Sequence, residues 1–213
     1  MRAVLEIHYL PSIAYFCKFL ACKNIVIDDM EAFGRQSYRN RCYIAAANGP
    51  MPLIIPVKRS RSGISVNDIE IDNKTGWQRI HWQSIQSAYG KSAFFEYYAD
   101  ALKPFYEQPY VKLFDYNIAI IKILIRLLKM KEITIAMLSN IPENEKPQLV
   151  NLKNIIHPKN SENELSKHFL PYPYMQVFQE KHGFQPGLSV LDLLFCEGPA
   201  ALGIIEKSGK TAD

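Results

Sequence analysis

The sequence predicts an α/β fold: one domain with a mixed sheet, a parallel strand-helix-strand start, and helices grouped in the second half. Three observations carry this reading. Two short apolar runs, residues 4–10 and 24–29, flank a segment with helical spacing at 13–23, and strands joined through a helix are normally parallel. Residues 41–46 and 53–57 are strand-like and separated by Ala-Asn-Gly-Pro-Met, which reads as an antiparallel hairpin. From Gly76 onward apolar residues recur at intervals of three and four.

Each element has a local reason. Ile25, Val26 and Ile27 form a β-branched run that ends in Asp28 and Asp29, as a buried strand does at its edge. In 69–71, Ile69 and Ile71 alternate with Asp68 and Glu70, which predicts one more strand. Trp77, His81, Ile85 and Ala88 share a helix face, and Phe95, Tyr98 and Leu102 form a second stripe that Pro104 interrupts. The window 113–128 is apolar, but Asp115, Lys122 and Arg126 make it a core helix with one wet face rather than a membrane span. Residues 134–138 predict a strand. Residues 139–167, rich in Asn, Glu, Lys and Pro, predict a mobile excursion that could close over a site through 152–159. Leu188 to Phe195 predicts a capped helix that Gly198-Pro199 ends. Domain bounds follow as 1–207, with a flexible tail at 208–213.

Composition narrows the function. With 213 residues and 48% hydrophobic content the chain can bury one substantial core. A net charge of +4 from 25 basic and 21 acidic residues is too balanced for duplex nucleic acid, although a local anion site is compatible with it. Cys17, Cys22, Cys42 and Cys196 have neither metal-ligand spacing nor disulfide density, so buried thiols in a reducing compartment are expected. Glu6 and His8 interrupt the first apolar stretch, so no signal peptide is expected and a cytoplasmic location follows. There is no Gly-x-x-x-x-Gly-Lys loop, Gly-x-Gly-x-x-Gly turn, Gly-x-Ser-x-Gly elbow or His-Glu-x-x-His site. ATPase, dehydrogenase, serine hydrolase and zincin readings lose ground accordingly.

Four ordered motifs are more specific. They are Tyr9-Leu10-Pro11-Ser12-Ile13-Ala14-Tyr15-Phe16, Ser37-Tyr38-Arg39-Asn40-Arg41, Trp77-Gln78-Arg79-Ile80-His81-Trp82, and Tyr174-Met175-Gln176 followed by Leu188-Ser189-Val190-Leu191-Asp192-Leu193-Leu194-Phe195. In this order, over about residues 4–202, the chain resembles the WbqC-like family, named for a member encoded among bacterial O-antigen genes and without an agreed activity. The resemblance implies surface-polysaccharide biosynthesis. Where other members carry glutamine, this chain has Ala32, so an amide contact there is missing or replaced by Glu31.

The motif residues suggest chemistry. Arg39 and Arg41 with Asn40 could hold a phosphorylated ligand, helped by a basic turn at Lys58, Arg59 and Arg61, which otherwise reads as a solvated loop. Tyr9 and Ser12 lie in the first strand-to-helix loop, where α/β proteins bind ligands. Tyr174 and Gln176 could read sugar hydroxyls, or Tyr174 could pack beneath the Pro171-Pro173 turn. His81 is either a general base or a buried histidine bonded to a carbonyl. Asp192, in apolar surroundings, needs a partner: Arg39 or Arg41 in an ion pair, or His81 in a base-and-orienter pair. Asp115 and Asn117 read first as helix-start residues.

The combined expectation assigns His81 and Asp192 to catalysis and Tyr9, Ser12, Arg39, Asn40, Arg41, Tyr174 and Gln176 to substrate, all in one cleft, with no metal ligands. The substrate would be a nucleotide-linked amino sugar or other phosphorylated small molecule, and the activity a group transfer. A nucleotidyl transferase and a noncatalytic binding or assembly protein are the alternatives. Cofactor and oligomeric state are open.

Overall fold

The computed structural model describes residues 1–59, 61–158 and 169–209. Four strands, β1 (Arg2–Leu5), β2 (Asn24–Ile27), β5 (Thr134–Met137) and β6 (Val150–Asn151), form one sheet in the order β5-β2-β1-β6. Every pairing in it is parallel, with Leu5 beside Ile27, Ile27 beside Met137 and Val4 beside Asn151. The strand period of two splits the apolar runs between the faces. Ala3, Leu5, Ile25 and Ile27 enter the main core, whereas Val4 and Val26 meet Ile141 on the other side. Burial on both faces is why these strands read as continuous apolar runs.

The α/β class and the parallel β1-α1-β2 start hold, with α1 spanning Ile13–Cys22. The antiparallel pairing sits in a sheet of its own, the hairpin β3 (Arg41–Ile44) and β4 (Met51–Ile54). Residues 69–71 make only isolated bridges, Val57 to Ile71 and Glu70 to Lys112. That segment crosses between two others, pairing one residue with each, so no ladder develops. β6, two residues long, carries no sequence pattern that could mark it.

Four helices pack on one another after the hairpin: α2 (Trp77–Tyr89), α3 (Phe95–Leu102), α4 (Pro104–Glu107) and α5 (Leu113–Leu127). Pro104 ends one helix and opens the next, where its missing N–H costs nothing. In α5, Leu113, Ile120, Ile121 and Leu124 are buried while Lys122 and Arg126 stay exposed, giving the expected wet face. After the short α6 (Gln179–His182) comes α7 (Val190–Glu197), capped by Ser189 Oγ on the Leu191 N–H. Gly198, at φ +51, ends it as expected; a Cβ there would lie 2.5 Å from the Phe94 ring. The helical path then resumes as α8 (Ala201–Ser208), which packs on α1 through a Cys17 Sγ bond to the Ile205 carbonyl.

Ser208, read as the start of a tail, is buried, and its hydroxyl accepts from the Tyr172 N–H. The rest of the tail, 210–213, lies outside the described residues. No described helix is long and apolar enough to cross a membrane. Cys17, Cys22 and Cys42 are buried free thiols and Cys196 is half-buried; burial pushes Cys17 and Cys196 up to about 12.

Candidate functional site

The parallel sheet gathers polar side chains at its carboxyl edge. β1 runs on to Glu6 and His8, whose Oε1 and Nε2 are 3.1 Å apart, both buried. Glu6 Oε2 accepts the Asn154 N–H at 3.0 Å. Burial drives the Glu6 carboxyl upward, but His8 and the amides around it hold it below its ordinary value. The His8 ring stacks 4.5 Å from Tyr15 and lies 5.3 Å from Tyr38. β2 runs on to Asp28, which pairs with Lys153 at 2.5 Å, and Asp29, which takes the Ser139 N–H and hydroxyl at 3.0 and 2.6 Å. Lys153 is therefore engaged by a carboxylate of its own chain, Asp28. Of the segment expected to close over a site, 152–159, Lys159 lies outside the described residues, as do 160–167 of the expected mobile excursion. In the sequence these groups show only as charges ending two apolar runs, and the strand order brings them together.

Tyr9 and His81 are brought together, 72 positions apart. Tyr9 Oη is 2.9 Å from His81 Nδ1 and 3.3 Å from Tyr106 Oη. The Ile54 backbone lies beside the imidazole, and which of Tyr9 Oη and His81 Nδ1 donates depends on the ring tautomer. Burial pushes the His81 pKa down to about 4, against the small opposing pull of Ile54. His81 is thus a buried neutral ring held at Nδ1 by Tyr9.

A second cluster joins Tyr174, Gln176 and Asp192. Asp192 Oδ2 accepts the Tyr174 hydroxyl at 2.7 Å and the Gln176 amide at 2.9 Å, and the Gln176 side chain also bonds both backbone groups of Gln185. Burial raises the Asp192 carboxyl to about 6 despite those hydrogen bonds and the nearby Tyr89 hydroxyl. The expected partners are corrected here: Asp192 is held by neutral donors, not by Arg39, Arg41 or His81. Its α2 neighbour is Tyr89, two turns and about 12 Å along the axis from His81. Ser12 is likewise structural in its contacts. It bridges Ser189, while the Val190 N–H bonds the Pro11 carbonyl at 2.8 Å, fastening the first motif to the last.

Arg39 and Arg41 part ways. Arg39 is buried and bidentate on Glu31, with Nε to Oε1 at 2.7 Å and Nη2 to Oε2 at 2.6 Å. Glu31 is therefore occupied by the arginine and does not stand in for the missing glutamine. The Arg39 carbonyl accepts the amide of fully buried Asn117 at 2.7 Å, so Asn117 supports the motif from α5 rather than capping that helix. Asn40 donates to the Ile55 carbonyl at 3.0 Å, leaving its buried Oδ1 without a partner. Arg41 Nε is also buried and unpartnered.

Asn40 and Arg41 open onto a recess of about 320 Å³ with Arg35, Lys58 and Arg59 in its lining and no acidic residue. Lys58 bonds Glu70 at 2.7 Å, whereas Arg35, Arg41 and Arg59 make no hydrogen bond or ion pair among the described residues. Gln36, at φ +58, turns the chain so that Arg35 faces the same recess as the hairpin's Arg41. The contacts thus join Arg41 and Asn40 to the basic turn, Tyr9 to His81, and Tyr174 and Gln176 to Asp192. No group of three or more His, Cys, Asp or Glu that could hold a metal is present among the described residues.

A model of the WbqC-like protein family matches residues 7–168. A protein of Mycobacterium tuberculosis, itself described as uncharacterized, is 28% identical over 105 residues, covering 49% of this chain and 45% of the relative. This chain thus spans under half the length of that relative. No solved structure matches.

Proposed function

The chain belongs to the WbqC-like protein family, and we propose that it is a group transferase of bacterial surface-polysaccharide biosynthesis of the O-antigen type that binds a nucleotide-linked amino sugar through its diphosphate. One observation carries the reading: three guanidiniums without a partner among the described residues share with a lysine a recess lined by no carboxylate, where the buried Arg41 Nε and the buried Asn40 Oδ1 also lack partners. Guanidiniums bind phosphate oxygens in pairs, and although Glu70 neutralises Lys58 from outside the lining, no carboxylate meets the three guanidiniums. Asn40 Oδ1 then suits a hydroxyl of the ribose or sugar.

A noncatalytic binding protein is the second reading, favoured by a specific observation. His81 is a buried ring whose Nδ1 is taken up by the Tyr9 hydroxyl, and Asp192 is buried with Oδ2 taken up by Tyr174 and Gln176, so neither group lines the basic recess. Titration calorimetry with nucleotide sugars, the matching nucleoside diphosphates and the free sugars tests the main reading. Binding should require the diphosphate and weaken in Arg41→Ala and Arg59→Ala. Failure of every phosphorylated compound to bind would remove it. Turnover of the bound compound with an added acceptor separates transferase from binding protein.

A further inference from the structure

We propose that a second site, the groove between the outer face of α2 and the β3–β4 connection, binds an uncharged saccharide. The groove is about 890 Å³, within the range of small-molecule sites, and shares no lining residue with the basic recess. Its chemistry is unlike the rest of the surface. The chain is 22% charged, yet no acidic, basic or histidine side chain lines this groove.

What lines it instead is a set of neutral groups that both donate and accept. Gln83, Ser84 and Ser87 stand with Ile80 on one helical face, opposite the Trp77, His81, Ile85 and Tyr89 face that enters the core. Asn48 faces them from the hairpin connection. None of these four polar side chains hydrogen-bonds to any described residue. Helical serines commonly bond the carbonyl one turn back, and neither Ser84 nor Ser87 does so. Asn48, Gln83 and Ser87 are exposed and Ser84 half-buried, so solvent meets this capacity until a ligand's hydroxyls replace it. Ile80, Met51 and Phe178 add an apolar floor, with Ile80 half exposed although it is large and aliphatic.

This pairing of neutral hydroxyl and amide groups with a flat apolar surface matches a pyranose, which presents hydroxyls at its rim and C–H groups on its faces. A phosphate or carboxylate would find no cation in the lining, since Lys181 behind the wall is engaged by the Ala47 carbonyl, and an acidic or basic peptide would find no counter-charge there. The wall is also preformed. The Ala47 carbonyl accepts from Lys181 Nζ at 2.6 Å and from His182 Nε2 at 2.9 Å, and Gly49, at φ +105, makes the turn that only glycine takes without strain.

The test is titration of the intact chain with maltotetraose, cellotetraose, mannotetraose and N-acetylchitotetraose, read by calorimetry and saturation-transfer NMR. At least one should bind, and Ser84→Tyr and Ser87→Trp should each weaken it by about tenfold or more with an unchanged Tm. Affinity should stay constant between roughly 50 and 500 mM NaCl, because no ion pair is involved. No binding at millimolar sugar would overturn the proposal, as would binding that survives both groove-filling variants. Arg41→Ala should leave saccharide binding intact, so failure here is distinguishable from failure of the diphosphate site.

Discussion

Glu31 closes both carboxylate oxygens on Arg39, at 2.7 and 2.6 Å, with the two side chains almost fully removed from water. Eight residues separate them, and the loop they tie carries Phe33, Arg35 and Gln36 to the basic recess. The pair therefore holds the recess in shape without entering it. Burial drives Glu31 upward in pKa, whereas hydrogen bonds to Glu31 keep Arg39 charged.

Breaking this pair from one side strands a buried charge. Arg39→Ala and Glu31→Ala should each lose about 3–5 kcal/mol in urea unfolding, while the double variant Glu31→Leu/Arg39→Met should recover most of it. A single variant within about 0.5 kcal/mol of wild type would show that the pair is solvated in solution.

Arg41 should behave oppositely. Arg41→Ala leaves Tm nearly unchanged, because the guanidinium has no partner among the described residues, but weakens a diphosphate ligand by roughly ten- to a hundredfold. That loss should shrink as salt rises. Equal losses for free sugar and nucleotide sugar would place Arg41 outside the diphosphate contact.

His81 sets an acid limb on stability. Its folded pKa of about 4 lies below the 6.5 of an exposed histidine, so between these values the unfolded chain holds the extra proton. Stability is fully present above pH 6.5 and falls by roughly 3 kcal/mol as pH drops through this window to 4. His81→Gln should flatten that limb while lowering stability at pH 7. An unchanged slope in the variant would mean that the ring is protonated in the folded state.

Asp192 contributes with the opposite sign. Its folded pKa of about 6 exceeds the ordinary 3.8, so the folded chain holds the extra proton between them, and stability falls as pH rises through that window. The cost above pH 6 is roughly 3 kcal/mol. Asp192→Asn, neutral at every pH and still able to accept from Tyr174, should gain stability at pH 7. Asp192→Ala should lose about 1–3 kcal/mol by orphaning the Tyr174 hydroxyl and the Gln176 amide. If Asn and Ala variants match at pH 7, the cluster is not what holds the segment.

By itself the sequence determined the elements and their faces. The β-branched runs around α1, the stripe Trp77-His81-Ile85, the polar stripe Lys122-Arg126 and the stop at Gly198 follow from side-chain periodicity and backbone chemistry, which act over a few residues. It also marked Asn40, Arg41 and the Lys58-Arg59 turn, because positive charge without nearby acid is visible along a chain. Tertiary structure alone decided the partners. Arg39 and Arg41 are two residues apart and look equivalent, yet one turns inward to Glu31 and the other outward to the recess. Asp192 went to Tyr174 and Gln176 rather than to an arginine, and His81 to Tyr9, because loop paths set those encounters. The Glu6–His8 pair and the short β6 were silent for the same reason: a strand order of 5-2-1-6 places them at one sheet edge, and strand order depends on long-range pairing that no local pattern encodes.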